Sequence, residues 1–292
     1  MKIKKLTLST SDVPEKIRNI STPPKKLFIL SNDSKELLAR PAVAIVGSRK
    51  ATPYGTAVTA SLAGDLARAG VAIVSGLALG IDGIAHKAAL EAGGQTIAVL
   101  PTGLDHIYPA THRELAKQIL EQGGALITEY PEGTEIYRGN FVARNRIISG
   151  LSDAVVVTEA AVKSGSLHTA DFALDQGRAV LAVPGNITSL NSEGTNSLIK
   201  SGAMPVTEAA DVLRAIGIEP LLATQKAPRS DNPNEQLLIT LLADGLQDGG
   251  ELLSRSQLDV SSFNQSLTML EIRGHIRPLG NNQWALQYGI QY

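Results

Sequence analysis

From residue 43 onward, short apolar runs alternate with segments in which apolar residues recur every three or four positions. The runs are continuous and rich in Val, Ile, Leu and Ala, which is typical of strands covered on both faces. The segments between them are long enough for crossover helices, and several end at a glycine suited to a helix C-cap. This repetition predicts an α/β fold with a doubly wound, mostly parallel, Rossmann-like sheet. The predicted strands are 43–46, 71–74, 96–100, 125–128, 154–158 and 179–183, and the predicted helices include 54–69, 82–92, 111–122 and 166–176.

The pattern changes after residue 216. Residues 217–234 contain three prolines and predict a linker. Helical spacing then returns over 235–243, 251–258 and 261–273, followed by short strands at 276–279 and 283–286 around the turn Gly280-Asn281-Asn282. Three helices and a hairpin predict a small winged-helix domain. The expected organisation is an N-terminal extension (1–40), a Rossmann-like domain (41–216), a linker (217–234) and a C-terminal winged helix (235–292).

Composition narrows the class of protein. The chain has 292 residues, 43% of them hydrophobic and 19% charged, which is enough length and apolar content for a buried core. No apolar stretch reaches the roughly 18 residues that a membrane-spanning helix needs, and no apolar core follows the basic N-terminus as in a signal peptide. Together with the lack of cysteine, this predicts a soluble, cytoplasmic protein with no membrane span, disulfide or thiol nucleophile.

Charge is distributed unevenly along the chain. The net charge of -1 combines +5 over residues 1–40, -2 over residues 41–229 and -4 over residues 230–292. A protein that coats nucleic acid by bulk attraction is usually basic, so nucleic-acid binding by this chain would need a local pocket. Ligands of doubly wound sheets bind beyond the carboxyl ends of the strands, which directs attention to the loops there.

Three of those loops have the composition of phosphate-binding turns. Helix N-termini carry unpaired N–H groups and a partial positive charge, and a nearby Arg or Lys would strengthen their attraction for phosphate. The plainer alternative is that the glycines only allow tight turns between strand and helix. The candidate residues are Gly47, Ser48 and Arg49 after the first strand, Ser75 and Gly76 after the second, and Lys163, Ser164, Gly165 and Ser166 after the fifth.

The segment before the fifth strand adds further candidates. Arg144 and Arg146 could contact phosphate or could fix neighbouring strand ends through buried hydrogen bonds. Phe141 lies near both in the sequence and could stack on a nucleic-acid base, with loop packing as the plainer role.

Familiar signatures of catalysis are missing from the sequence. It contains no G-x-G-x-x-G after the first strand, no G-x-x-x-x-G-K-[ST] and no G-x-S-x-G around Ser75, and its five histidines lack metal-ligand spacing. Asp82 and His86 could form a catalytic dyad. The favoured interpretation is that Asp82 caps the N-terminus of a helix and that His86 is a polar side chain with its hydrogen bonds satisfied. We therefore expect no catalytic residue, no metal and no cofactor.

Eight stretches in a fixed order carry a more specific signal. They read AIVGSRKATPYG (44–55), SGLALGIDGIAHKAAL (75–90), TGLDHIYP (102–109), ITEYPEGT (127–134), FVARNRIISGLSD (141–153), KSGSLHTADFAL (163–174), and VPGN (183–186) with GTNSLIKSGA (194–203). This set resembles the DNA processing protein A family, DprA/Smf, over about residues 22–212.

The resemblance implies a function. Members of that family are non-enzymatic proteins that bind single-stranded DNA, form a homodimer and load the RecA recombinase during natural transformation and recombination. It also implies that Gly47 to Arg49 and Lys163 to Ser166 correspond to the family's strand-binding pocket.

Two other functions stay open from the residues alone. A nucleotide phosphoribohydrolase would use a P-G-G-x-G-T-x-x-E pattern, where this chain reads KSGSLHTAD without the Glu, although Asp171 lies nearby. A sensor of a small nucleotide is the second alternative.

Overall fold

The structure is a computed structural model that describes residues 3–9, 12–220, 228–280 and 282–286. The chain divides into two compact units, Met1–Glu219 and Pro220–Tyr292. Residues 221–227 of the predicted linker and Asn281 of the predicted hairpin turn lie outside the described residues. Within the described part of the chain, no helix combines the length and the apolar character needed to cross a membrane.

The first unit contains a nine-stranded sheet, and its spatial order is β1-β2-β6-β5-β4-β3-β7-β8-β9. Neighbouring strands from β6 through β9 in that order pair in parallel, whereas β2 pairs antiparallel with both β1 and β6. The predicted doubly wound, mostly parallel sheet is therefore confirmed. The segment predicted as an N-terminal extension, residues 1–40, contributes its antiparallel edge through β1 and β2. The strands are β1 (Lys4–Ser9), β2 (Lys26–Ser31), β3 (Ala42–Gly47), β4 (Ala72–Ser75), β5 (Thr96–Val99), β6 (Ala125–Thr128), β7 (Ala154–Glu159), β8 (Ala179–Ala182) and β9 (Met204–Pro205).

Helices cover both faces of this sheet, because successive residues of the buried strands point to opposite sides. Ile45 of β3 belongs to the same buried apolar cluster as Leu66 of α3, whereas Val46 belongs to the cluster that contains Ile147 of α6. The helices of this unit are α1 (Glu15–Arg18), α2 (Ser34–Ala39), α3 (Pro53–Arg68), α4 (Ile81–Glu91), α5 (Arg113–Glu121), α6 (Arg138–Leu151), α7 (Leu167–Asp175), α8 (Glu193–Lys200) and α9 (Ala209–Ala215).

A topological switch point lies between β3 and β7. The two strands are parallel neighbours, with Val46 opposite Val157. After β3 the chain turns toward α3 on one face, and after β7 it turns toward α7, whose Ala170 and Ala173 pack in the apolar cluster of the other face. Loops that diverge in this way leave a crevice beyond the carboxyl ends of the strands.

The second unit is a small helical body with a hairpin. Its core contains Leu238, Leu252, Leu270 and Ile276. The order of helices and strands agrees with the predicted elements, and its assignment as a winged helix stays a prediction. Its described elements are α10 (Pro233–Ala243), α11 (Gly249–Ser256), α12 (Val260–Ile272), β10 (Ile276–Gly280) and β11 (Gln283–Leu286).

Candidate functional site

A cavity of about 370 Å³ lies in the crevice between the loops that follow β3 and β7. Arg49 lines it from the β3–α3 loop, and Ser164, Gly165 and Ser166 line it from the β7–α7 loop. Phe141, at the start of α6, closes a further side. Two loops that are distant in sequence thus share one cavity, as their position at the same sheet edge requires.

The conformation of the β3–α3 loop is held by backbone hydrogen bonds. The Ser48 N–H donates to the Glu159 carbonyl at 2.7 Å, and the Ile81 N–H donates to the Ser48 carbonyl at 3.1 Å. A Cβ at Gly47 would lie 2.7 Å from Ile81 Cγ1 and 2.8 Å from the Glu159 carbonyl oxygen, so only glycine fits there. Because its neighbours are fixed in this way, Arg49 is held at the rim with its side chain exposed.

Arg49 is part of an aromatic cluster. Its guanidinium carbon lies 5.4 Å from the centroid of the Phe141 ring, which is a cation–π contact. Tyr108 packs edge-on against the same ring, with centroids 5.3 Å apart and an angle of 77° between the planes. No carboxylate among the described residues forms an ion pair with Arg49. The cation is therefore available to an anionic ligand. Tyr108 belongs to the site through its contact with the Phe141 ring, which spacing along the chain does not indicate.

The turn before α7 forms the opposite wall. The Ser164 N–H donates to the Ala161 carbonyl at 2.9 Å, and the Ser164 and Ser166 hydroxyl oxygens are 2.8 Å apart. A Cβ at Gly165 would meet nothing within 4 Å, and its N–H has no hydrogen-bond partner in the described part of the chain. This N–H is open to a ligand. Lys163 is exposed beside the turn without lining the cavity itself.

Arg144 forms part of the cavity floor and is only 4% exposed. Its guanidinium donates to the carbonyl oxygen of Gly76 at 2.6 Å and to that of Val99. Burial lowers the pKa of Arg144 to about 10, so the side chain stays protonated at neutral pH. Nearby, burial raises the pKa of Asp82, an effect that the charge of Arg144 opposes. Arg144 therefore supports the floor by holding two strand ends, which is one of the two roles predicted for it.

Ser75 and Gly76 do not have the role predicted for them as phosphate-binding residues. Ser75 is fully buried, and its hydroxyl donates to the Ile45 carbonyl at 2.7 Å. The Gly76 N–H donates to the Asp82 carboxylate at 3.0 Å, while its carbonyl accepts from Arg144. The backbone groups of this loop are thus used inside the fold, and neither residue lines the cavity.

Arg146, like Arg144, has the structural one of the two roles predicted for it. Its guanidinium donates to both carboxylate oxygens of Glu129, at 2.6 and 2.7 Å, and its Nε donates to the Thr22 carbonyl at 2.9 Å. The residue is 8% exposed and does not line the cavity. Since this guanidinium is bonded to a carboxylate and to a carbonyl and lies outside the cavity, Arg146 stabilises the fold.

Asp82 and His86 do not form the dyad that their spacing allowed. The N-cap of α4 is Gly80, with φ 75°, and the Asp82 carboxylate instead accepts from the Gly76 N–H. His86 Nδ1 lies 2.6 Å from the Thr96 hydroxyl oxygen. Burial, with smaller contributions from the charges of His112 and Arg144, lowers the pKa of His86 to about 3. His86 is therefore a neutral, buried side chain. It is satisfied only at Nδ1, because its buried Nε2 has no hydrogen-bond partner in the described part of the chain. The predicted N-cap role of Asp82 was wrong.

Comparisons with known proteins agree with one another. A family model described as DNA recombination-mediator protein A matches residues 4–217. Protein Smf of Escherichia coli is 53% identical over 171 residues, which cover 59% of this chain and 46% of that protein. The chain spans about half the length of the first curated relatives it matches.

Two solved structures are similar to nearly three quarters of this chain. The X-ray structure of DNA processing protein A from Streptococcus pneumoniae matches with a TM-score of 0.68 and 41% identity, covering 72% of this chain and 74% of that one. The protein from Helicobacter pylori matches with a TM-score of 0.65 and 35% identity, covering 73% and 95%. The latter structure concerns the single-stranded DNA binding mode of the Helicobacter pylori protein.

Proposed function

Because the chain belongs to the DNA recombination-mediator protein A family, we propose that it binds single-stranded DNA in the cavity between the β3–α3 and β7–α7 loops. The observation that carries the proposal is the position of Arg49. Its exposed guanidinium lies against the Phe141 ring in one cavity, without an ion-pair partner among the described residues. A single strand offers both an anionic backbone and exposed base faces, and this pair of side chains suits both.

Each wall of the cavity would contribute a different contact. Arg49 and Lys163 would neutralise phosphates, and the free Gly165 N–H would donate to a phosphate oxygen. Phe141 would stack on a base, a contact worth about 1 to 3 kcal/mol. Gly47, Ser48, Ser164 and Ser166 would shape the two loops, and Arg144 would hold the floor from below. No bond is broken in this mechanism.

Binding of this kind depends on a few local charges, because the chain as a whole carries a net charge of only -1. We expect the logarithm of the affinity to fall with the logarithm of salt concentration at a slope of roughly -2 to -4, at about 0.7 per neutralised phosphate.

The wider role is proposed from the family. The protein would bind incoming single strands in the cytoplasm as a homodimer and load RecA recombinase onto them in natural transformation and recombination. Residues 41–216 would bind DNA. Residues 235–292 would form a winged helix for protein contacts, because residues 230–292 carry a net charge of -4 and lack the basic character of a duplex reader.

The decisive experiment is a binding series with fluorescent oligonucleotides, single- and double-stranded, from 5 to 60 nucleotides. We expect a preference for single strands that grows with length. The double variant Arg49→Gln/Lys163→Gln should lose most of the affinity. The control variant Lys35→Gln should keep its affinity. Lys35 lies in α2, directly after the end of β2 at Ser31, and Ser31 pairs with Ala125 at the amino-terminal end of β6. Lys35 is therefore at the edge of the sheet opposite the cavity. Equal affinity for single and double strands would contradict the proposal.

The phosphoribohydrolase alternative has less support from the geometry. Asp171, the carboxylate that could have replaced the missing Glu, is exposed, lies 3.8 Å from His168 Nδ1 and does not line the cavity. Incubation with nucleoside monophosphates separates the two functions, since steady release of free base would favour the enzyme.

A further inference from the structure

We propose that a second cleft, on the other side of Arg49, holds the sugar–phosphate backbone of the strand as it leaves the first cavity. This inference rests on the proposed function. The second cleft has a volume of about 600 Å³ and lies between the β3–α3 loop, α4 and α5. Arg49 lines both cavities, so a phosphate bound to it would have a binding surface on either side. The polar residues of the second cleft are Lys50, Thr56, Lys87, His112, Glu114 and Gln118.

The floor of this cleft depends on two glycines, Gly80 at the N-cap of α4 and Gly83 within that helix. Gly80 has φ 75°, and a Cβ there would lie 2.3 Å from the Ser48 carbonyl oxygen, so the start of α4 can approach the β3–α3 loop closely. A Cβ at Gly83 would lie 2.6 Å from Cε1 of His112. The imidazole occupies that space, and its Nδ1 lies 2.8 Å from the Leu77 carbonyl oxygen. Since a carbonyl only accepts, Nδ1 carries the proton and the ring is fixed in the wall.

The charge of the second cleft favours a polyanion. Lys50 and Lys87 are exposed, and neither lies within ion-pair distance of a carboxylate in the described part of the chain. Glu114, on the same rim, lies 3.8 Å from the Lys117 ammonium and is partly neutralised by it. With Arg49, the cleft thus presents three cations that have no ion-pair partner among the described residues, each a suitable phosphate partner.

The second cleft differs from the first in the groups that it offers to a base. The described residues that line it include no Phe, Tyr or Trp, whereas Phe141 lines the first cavity. A nucleotide seated there would gain contacts to its phosphates and little stacking. The arrangement therefore fits a strand whose base is held in the first cavity and whose next phosphates lie along Lys50 and Lys87, rather than an independent mononucleotide site.

The test compares short and long single strands. Salt slopes are measured by fluorescence anisotropy for (dT)3 and (dT)20 with the wild type, Lys50→Gln/Lys87→Gln and the matched control Lys35→Gln. We expect the double variant to bind (dT)20 with a slope shallower by about 1.4, the loss of two phosphate contacts, and to bind (dT)3 nearly as the wild type does. Circular dichroism and the midpoint of thermal unfolding should be unchanged, since both lysines are exposed.

The outcomes separate this inference from the proposed function. If the wild type binds (dT)20 and the double variant keeps the wild-type slope, the second cleft is not a strand path, while the first site stands. If the double variant loses (dT)3 and (dT)20 equally, the lysines belong to the first site and the path is again refuted. If the wild type binds neither oligonucleotide, both proposals fail.

Discussion

The guanidinium carbon of Arg49 lies 5.4 Å from the centroid of the Phe141 ring, so that a cation and an aromatic face stand side by side at the mouth of one cavity. Arg49 comes from the loop after β3, and Phe141 from the beginning of α6. Tyr108 supports the ring from its edge. A ring held in place in this way loses little conformational freedom when a base stacks on it.

Replacement of the ring should weaken binding without changing its dependence on salt. For Phe141→Ala we expect the affinity for (dT)20 to fall by about 1 to 3 kcal/mol, roughly 5- to 150-fold, because base stacking is lost. Phe141→Trp, which keeps an aromatic face, should retain most of the affinity. Fluorescence anisotropy at fixed salt measures both. Wild-type affinity in Phe141→Ala would remove the ring from the site.

Removal of the cation beside the β7–α7 turn should change the salt dependence itself. For Lys163→Ala we expect a slope shallower by about 0.7, the contribution of one phosphate contact. Lys35→Ala is the matched control, because this lysine is also exposed and lies at the opposite edge of the sheet. Equal slopes for Lys163→Ala and the wild type would show that Lys163 does not contact the strand.

Replacement of Arg146 should lower the stability of the fold without removing a contact to DNA. Its pair with Glu129 is largely buried, so Arg146→Ala leaves a carboxylate without a partner and should lower the free energy of unfolding by about 3 to 5 kcal/mol. Lys16→Ala, which breaks the more exposed pair with Asp153, should cost roughly 1 kcal/mol or less. Urea unfolding measures both values. A folded, fully stable Arg146→Ala protein with a shallower salt slope would contradict this role.

His86 should make stability depend on pH in the acidic range. Burial holds its pKa at about 3, below the usual 6.5, so the unfolded chain binds a proton that the folded chain does not. The contribution is fully present above pH 6.5 and is lost as the pH falls toward 3, by up to about 1.4 kcal/mol per pH unit.

The measurement for His86 is a difference between two proteins. Urea unfolding of the wild type and of His86→Asn at several pH values between 4 and 7 should give curves that converge as the pH falls, since only the wild type carries this titration. The raised pKa of Asp82 acts in the opposite direction, but it is common to both proteins. Parallel curves would mean that His86 is protonated equally in both states.

The antiparallel edge of the sheet contains a strand, β1, that the hydrophobic pattern of the sequence did not predict. Five of the six residues of β1, Lys4–Ser9, are exposed, so no buried run identifies this strand. It forms because its backbone pairs with β2 in register from Lys4 opposite Ser31 to Ser9 opposite Lys26. Pairing of an edge strand depends on the backbone of its partner strand rather than on burial of its own side chains. The hydrophobic pattern of a sequence indicates only which side chains are buried.

The sequence by itself determined the parallel sheet, because strands covered on both faces must be continuous apolar runs. It also placed three glycine-containing loops at one sheet edge. Only the tertiary structure decided which arginine meets the cavity. Arg144 and Arg146 are two residues apart on α6 and so point in nearly opposite directions, one to the carbonyls of Gly76 and Val99, the other to the carboxylate of Glu129. Those partners come from strand ends and loops that are distant in the sequence. Tertiary packing decides whether a guanidinium contacts them or is exposed to solvent, and the spacing of residues along the chain does not show this.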